Sequence, residues 1–355
     1  KKNGVFVMIH LKQGDKVAVV SLSAGTLGES FCSHQLTRGI ERLESFGLEV
    51  VFMPHTLKGI DFVKAHPNKR AEDLIAAFQD DSIKGIVCAI GGDDTFRIAP
   101  YILTEENKEI IRKHPKFFMG YSDTTINHLM LQQLGVPSYY GLSFLTCFAE
   151  LGNGMLPYSE AAFKHLFTTD AFDYQASEVW YEERTDFSLA ALGTERVKHQ
   201  EVHGYELLQG ESYFAGKLIG GCVESLYDLL VGERYPEEAM INQQYNLFPS
   251  ESQLEGAILF LETSEEKPSP KHFKKMLELL KAHGLFKDIN GLIFGKPQDE
   301  MYYEEYKAVL TEVLDESLPI LYNVNIGHAY PKMLLQYGAH AEMDANEKRI
   351  KVARL

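Results

Sequence analysis

From residue 16 onward the chain alternates short, unbroken apolar runs with stretches of helical spacing, and few architectures accommodate that rhythm. Val17–Val20, Glu49–Met53, Gly85–Ile90 and Phe117–Gly120 read as strands. Ser33 is expected to cap a helix whose apolar face is Leu36, Ile40 and Leu43, with Gly47 closing it. Arg70–Phe78 and Ile126–Leu134 repeat the helical spacing. Strands that are apolar on both faces must be covered on both faces, which a parallel sheet with crossover helices achieves.

A chain of 355 residues exceeds what one hydrophobic core usually serves, so two domains are expected. Residues 8–165 form the first, an α/β domain with a parallel sheet of Rossmann or flavodoxin type. Residues 166–212 break the rhythm with polar and aromatic residues and are expected to be a linker and an excursion between domains. Residues 213–355 resume it as a second, smaller α/β domain. Its strands are expected at Lys217–Cys222, Ala257–Leu261, Gly291–Gly295 and Pro319–Val324. Phe273, Met276, Leu277 and Leu280 mark one helix, Tyr303–Leu314 another, and Ala341–Val352 a closing hairpin.

Acidic residues outnumber basic ones by 50 to 35, a formal net charge of −15 that argues against a nucleic-acid polymer or an anionic membrane as partner. No apolar run approaches the roughly 20 residues needed to cross a bilayer. The four cysteines, Cys32, Cys88, Cys147 and Cys222, lack the spacing of a zinc site and fit buried free thiols in a reducing cytoplasm. Residues 1–7 are expected to be foreign to the natural chain, with Met8 its start.

In an open parallel sheet, ligands bind beyond the carboxyl ends of the strands, so polar residues there are the candidates. Ser122 follows the strand Phe117–Gly120 on a tight turn into a helix, as a nucleophile would, although the full G-x-S-x-G pattern is absent. The same position suits a helix cap. Gly91–Gly92–Asp93–Asp94 ends another strand, and its backbone N–H groups suit an oxyanion, a phosphate or an ordinary turn. Glu262 ends a third strand and His328 follows a fourth. Alone, each is as readily structural or solvated. Together they supply a nucleophile, a base of near-neutral pKa and an acceptor to orient that base.

These stretches, with Ser21–Gly25, Gly220–Gly221, Gly291–Gly295 and Gly327–His328 followed by Pro331, resemble the LD-carboxypeptidase family of serine peptidases in order and spacing. The resemblance implies Ser122 as nucleophile, Glu262 as acid and His328 as base. It also implies an oxyanion hole from the backbone of Gly92 and Asp123, a homodimer, and neither metal nor organic cofactor. The acidic Gly91–Asp94 turn is closer to the microcin C immunity branch, which hydrolyses aminoacyl-nucleotide amides, than to the wall-recycling branch. Asp93 and Asp94 are then candidate substrate contacts. Trp180 is another, stacking on a nucleobase, or alternatively an interface or hinge anchor. Cys222 and Val223 depart from the Gly–Asn–Leu common at that strand. The expected activity is amide hydrolysis beside a free carboxylate, on an aminoacyl-nucleotide or other small peptide-like substrate. The alternatives are murein tetrapeptide trimming and a non-catalytic small-molecule-binding protein.

Overall fold

The apolar runs become β1 (Lys16–Val20), β2 (Glu49–Phe52), β3 (Ile83–Cys88), β4 (Phe117–Gly120) and β5 (Tyr139–Tyr140) in the computed structural model, which describes residues 9–355. The expected start at Met8 and the residues before it lie outside the described residues. These five strands are parallel and lie in the order β2-β1-β3-β4-β5, the flavodoxin arrangement. Val17–Val20 and Phe117–Gly120 are wholly buried, as strands sandwiched between helices must be. Each such apolar side chain contributes roughly 1.5–3 kcal/mol by leaving water.

The helix expected after Ser33 spans Ser33–Ser45, but Ser33 is its first helical residue and makes no capping hydrogen bond. A 3-10 turn at Ser30–Cys32 runs directly into it and orders its entry. The helix expected around residues 70–78 spans Pro67–Gln79.

The 166–212 segment carries β6 (Ala171–Tyr174), β7 (Val179–Tyr181), β8 (Lys198–Gln200) and β9 (Glu206–Gln209). Then follow β10 (Tyr213–Cys222), β11 (Ile258–Glu262), β12 (Gly291–Gly295), β13 (Ile320–Val324), β14 (Leu335–Gln336), β15 (His340–Asp344) and β16 (Arg349–Ala353). The second sheet runs β6-β16-β15-β10-β11-β12-β13-β9, with a parallel centre from β10 to β13 and antiparallel strands on both flanks. The segment expected as a linker thus supplies both outer edges of that sheet, while β7 and β8 pair as a separate ribbon. Only four residues of β6 alternate between exposed and buried, too few to stand out as a strand pattern.

Two features lock the sheets together. β14, far along the chain, pairs with β5 at the edge of the first sheet. Cys222 N–H, at the end of β10, donates to Thr125 Oγ1 beside the Ser122 turn, 3.0 Å away. The carboxyl ends of β3, β4 and β11 and the loop after β13 therefore face one another.

Candidate active site

Ser122 leaves β4 through a turn that the surrounding residues hold under strain. Its φ is 69°, a left-handed conformation that L residues other than glycine, asparagine and aspartate seldom adopt. A 3-10 turn at Ser122–Thr124 then leads into the helix Thr125–Gln133. Beneath it, buried His128 is held by Gly120 O (2.9 Å) and Ser138 Oγ (2.6 Å), and burial pushes its pKa down to about 3. A neutral imidazole thus ties the end of β4 to the helix that follows. Gly91 is required here for close approach: a Cβ on it would lie 2.9 Å from Ser122 Cβ and 3.1 Å from Ser122 Oγ.

The three residues singled out at strand ends meet. Ser122 Oγ lies 3.0 Å from His328 Nε2, and His328 Nδ1 lies 2.7 Å from Glu262 Oε2. The same carboxylate oxygen accepts the His328 backbone N–H at 3.2 Å, so ring and backbone are fixed together. Gly327, at φ 89°, makes room: a Cβ there would sit 2.4 Å from the Glu262 side chain. Tyr121 packs edge-on against the imidazole, with ring centroids 5.2 Å apart.

Two participants had no signal in the sequence. Tyr140 OH accepts the Ser122 backbone N–H (3.1 Å) and donates to Glu262 Oε1 (2.5 Å), linking the strained turn to the buried acid. It ends a strand of two residues, too short for a pattern. Glu265 Oε2 approaches His328 Nε2 at 3.1 Å, beside the serine hydroxyl. Glu262, Glu265 and Glu266 lie close together in the chain, which does not reveal which carboxylate turns inward. Burial alone would lower the His328 pKa, but the Glu262 charge and the hydrogen bonds to Glu262 and Glu265 outweigh it and raise it to about 10. Glu265, bonded to the imidazole, falls to about 2. A protonated imidazole donates to both carboxylates. Once neutral, its Nε2 is free to accept a hydrogen bond from the serine hydroxyl 3.0 Å away.

A cavity of about 350 Å³ opens beside Ser122, and Gly92, Asp93 and Asp123 are among its lining residues. The Asp123 carboxylate accepts Ser23 Oγ (2.7 Å) and Thr95 N–H (2.9 Å), and burial raises its pKa to about 6. That side chain braces the turn, and the Asp123 backbone nitrogen lies close to Gly91, where a Cβ would be 3.4 Å from it. Asp93 is bonded by Arg234 (3.3 Å) and Tyr235 OH (3.1 Å) at the cavity rim. Asp94 and Trp180, both candidates for substrate contact, lie outside the lining of this cavity. Asp94 is buried in an ion pair with Arg70 (2.8 Å) and faces Arg97 at 3.4 Å, so its charge is already answered. Trp180, 8% exposed, stacks on His199 with centroids 4.3 Å apart.

Cys222, Glu262 and His328 bring potential ligand atoms within 4.8 Å of one another, the one such group of three among the described residues. Both Glu262 oxygens and both imidazole nitrogens are already hydrogen-bonded within the protein. Burial, with the nearby charges of Glu224 and Glu262, also holds the Cys222 thiol well above its usual pKa. This is poor metal-binding chemistry. All four cysteines are free and buried.

Family models for the LD-carboxypeptidase N-terminal and C-terminal domains match residues 17–141 and 215–343. The chain belongs to the LD-carboxypeptidase family. As a member, it is a serine-type carboxypeptidase or hydrolase. Among similar proteins of known structure is an MccF-like protein from Streptococcus pneumoniae, solved in complex with AMP. It is 50% identical, covers 96% of this chain and 98% of its own, and superposes with a TM-score of 0.92. A probable murein peptide carboxypeptidase of Bacillus subtilis is 28% identical, over 97% of this chain and 95% of its own. The microcin C7 self-immunity protein MccF of Escherichia coli is 24% identical, over 96% and 94%. No helix among the described residues is long and apolar enough to cross a membrane.

Proposed function

We propose that this LD-carboxypeptidase hydrolyses an amide through an acyl-enzyme, with Ser122 as nucleophile, His328 as general base and Glu262 as its orienting acid. The observation that carries the reading is the unbroken line from Ser122 Oγ through His328 to Glu262, at 3.0 and 2.7 Å. His328 removes the Ser122 proton as the hydroxyl attacks the amide carbonyl. The backbone N–H groups of Asp123 and Gly92 receive the oxyanion, His328 protonates the departing amine, and water releases the acyl group. Substrate that displaces Glu265 from Nε2 frees the imidazole to act as base.

The substrate class we infer is an aminoacyl-nucleotide amide. Its support is the 50% identity, over nearly the whole chain, to an MccF-like protein solved with AMP. A murein tetrapeptide is the second reading, supported by the murein peptide carboxypeptidase relative. Four buried free thiols suit the reducing cytoplasm in which either substrate would be met.

The test is hydrolysis of aminoacyl sulfamoyl adenosine and of murein tetrapeptide by the purified protein and its Ser122→Ala variant, with products read by mass spectrometry. Cleavage of the adenosine compound, lost in the variant, is expected. Cleavage of the tetrapeptide alone would move the protein to wall recycling. Full activity in Ser122→Ala would remove the triad reading.

A further inference from the structure

Lys332 lies four residues beyond His328, outside the lining of the cavity. Its side chain is fully buried, and no hydrogen bond or ion pair reaches its Nζ among the described residues. Ser159 Oγ pins the backbone, accepting the Lys332 N–H at 3.1 Å and donating to the Lys332 carbonyl at 2.7 Å. The ammonium lies over two aromatic rings, 3.7 Å from the centre of Tyr330 and 4.5 Å from that of Tyr121. Arg196 lies 3.9 Å from the centre of Tyr330 as well. Two cations that close cannot share one face, so the Tyr330 ring is held between them. The Arg196 charge is answered by Glu150, 2.7 Å from its Nε. The Lys332 charge is not.

A buried ammonium without a partner costs folding free energy, and a methionine of similar length would fill the same slot without that cost. What lysine adds is charge, and Tyr121 stands between that charge and the base. Tyr121 packs against the His328 imidazole with ring centres 5.2 Å apart, so the ammonium is within about 10 Å of the imidazole. At that distance and an effective dielectric of about 20, a unit charge changes a neighbour's proton affinity by about tenfold. The sign decides the consequence. Glu262 and Glu265 hold a proton on His328, ionised Glu224 lies close enough to add to them, and neighbouring Cys222 is kept as the neutral thiol. Cationic Lys332 opposes these carboxylates. Its own titratable or charged neighbours, besides the two tyrosines, are Cys147, Arg196, Glu262 and Glu150. Burial pushes Lys332 down to about 8, so its charge is present at neutral pH and lost at higher pH.

We propose that Lys332 is a positioning residue for the reaction, its buried charge favouring the neutral form of His328 that takes the Ser122 proton. This rests on the serine hydrolase reading above and adds a device that extends its activity toward neutral pH.

The experiment measures the second-order rate at which a fluorophosphonate labels Ser122, between pH 6 and pH 10, in the wild type and in Lys332→Met. Labelling needs the serine and its base but no particular substrate. At pH 6.5 the variant is expected to react about tenfold more slowly, because the charge opposing the imidazolium is gone. At pH 9.5, where Lys332 is already neutral in the wild type, the two rates are expected to agree within about twofold. A side chain that only fills space would give the same ratio of rates at both pH values, and that result would overturn the proposal while leaving the triad reading intact. A variant as fast as the wild type at pH 6.5 would do the same. Lys332→Gln repeats the comparison should Lys332→Met melt early. No labelling of the wild type at any pH would bring down both readings.

Discussion

On the first sheet's side of the cavity Asp123 is held by protein donors, as is Asp94 outside the lining, whereas the lining residues Asp228 and Glu238 have none. The first wall carries the strained Ser122 turn, and strain persists only where surrounding bonds over-determine it. Tyr140 at Ser122, with Thr95 and Ser23 at Asp123, provides those bonds. The second wall is built from the helices that follow β10, and two of its acids, Asp228 and Glu238, have no partner among the described residues. The difference separates two kinds of group. Groups proposed to perform chemistry are positioned in advance by bonds within the protein, whereas the unpartnered acids of the other wall are not.

The largest effect should come from breaking the first wall at its reacting atoms. His328→Ala and Ser122→Ala are each expected to lower kcat/KM by at least about 10⁴-fold, and the double variant by little more. Losses that multiplied in the double variant would mean the two residues do not act as one unit. The next effect is on stability. Arg70 is 1% exposed, and Arg70→Met leaves the buried Asp94 with only Arg97 at 3.4 Å. A cost of about 3–5 kcal/mol is expected in urea unfolding at pH 7. A change under 1 kcal/mol would show that water already reaches Asp94.

Much of this contrast is invisible in the sequence, for identifiable reasons. The strands of the first sheet and the centre of the second are continuous apolar runs, so their ends, and hence Ser122, Glu262 and His328, are legible. Tyr140 is not, because β5 has two residues and no period. β14 has only two residues, and the edge strands β6 and β9 are short and set in polar surroundings, so the 166–212 segment reads as linker while forming both edges of a sheet. Asp94 and Asp93 look alike as neighbouring acids after a strand. Only the fold shows that Arg70, on the helix Pro67–Gln79, reaches one and not the other. Glu238 looks like an ordinary acid in a first helical turn, where the dipole favours it. That its carboxylate is buried among other acids depends on packing between distant helices.

The second wall should respond to neutralisation in the opposite sense from the first. Glu238 has its folded pKa raised to about 9, well above that of an unfolded glutamate. The folded state therefore binds more protons, and stability falls as pH rises from about 4.3 toward 9. Glu238→Gln removes that dependence. It is expected to stabilise the protein by about 1–3 kcal/mol at pH 8 and hardly at all at pH 4. Urea unfolding at the two pH values measures this, and destabilisation at pH 8 would mean the carboxylate already has a partner.

The smallest effect probes Glu265, which the second wall lends to the first. It is one of two carboxylates holding a proton on His328, and it is more than half exposed, so solvent weakens its influence. Only neutral His328 accepts the serine proton, so activity in the free enzyme grows as pH rises toward the imidazole pKa. Glu265→Gln lowers that pKa, and the acid limb of kcat/KM is expected to move down by about one pH unit with its plateau retained. Stability should move the other way. The raised His328 pKa stabilises the fold fully below about pH 6.5 and not at all above about 10. The variant should therefore melt slightly earlier at pH 6 and unchanged at pH 10.5. An acid limb that stays in place would mean that Glu265 does not reach Nε2 in solution, and that Glu262 alone sets the proton affinity of the base.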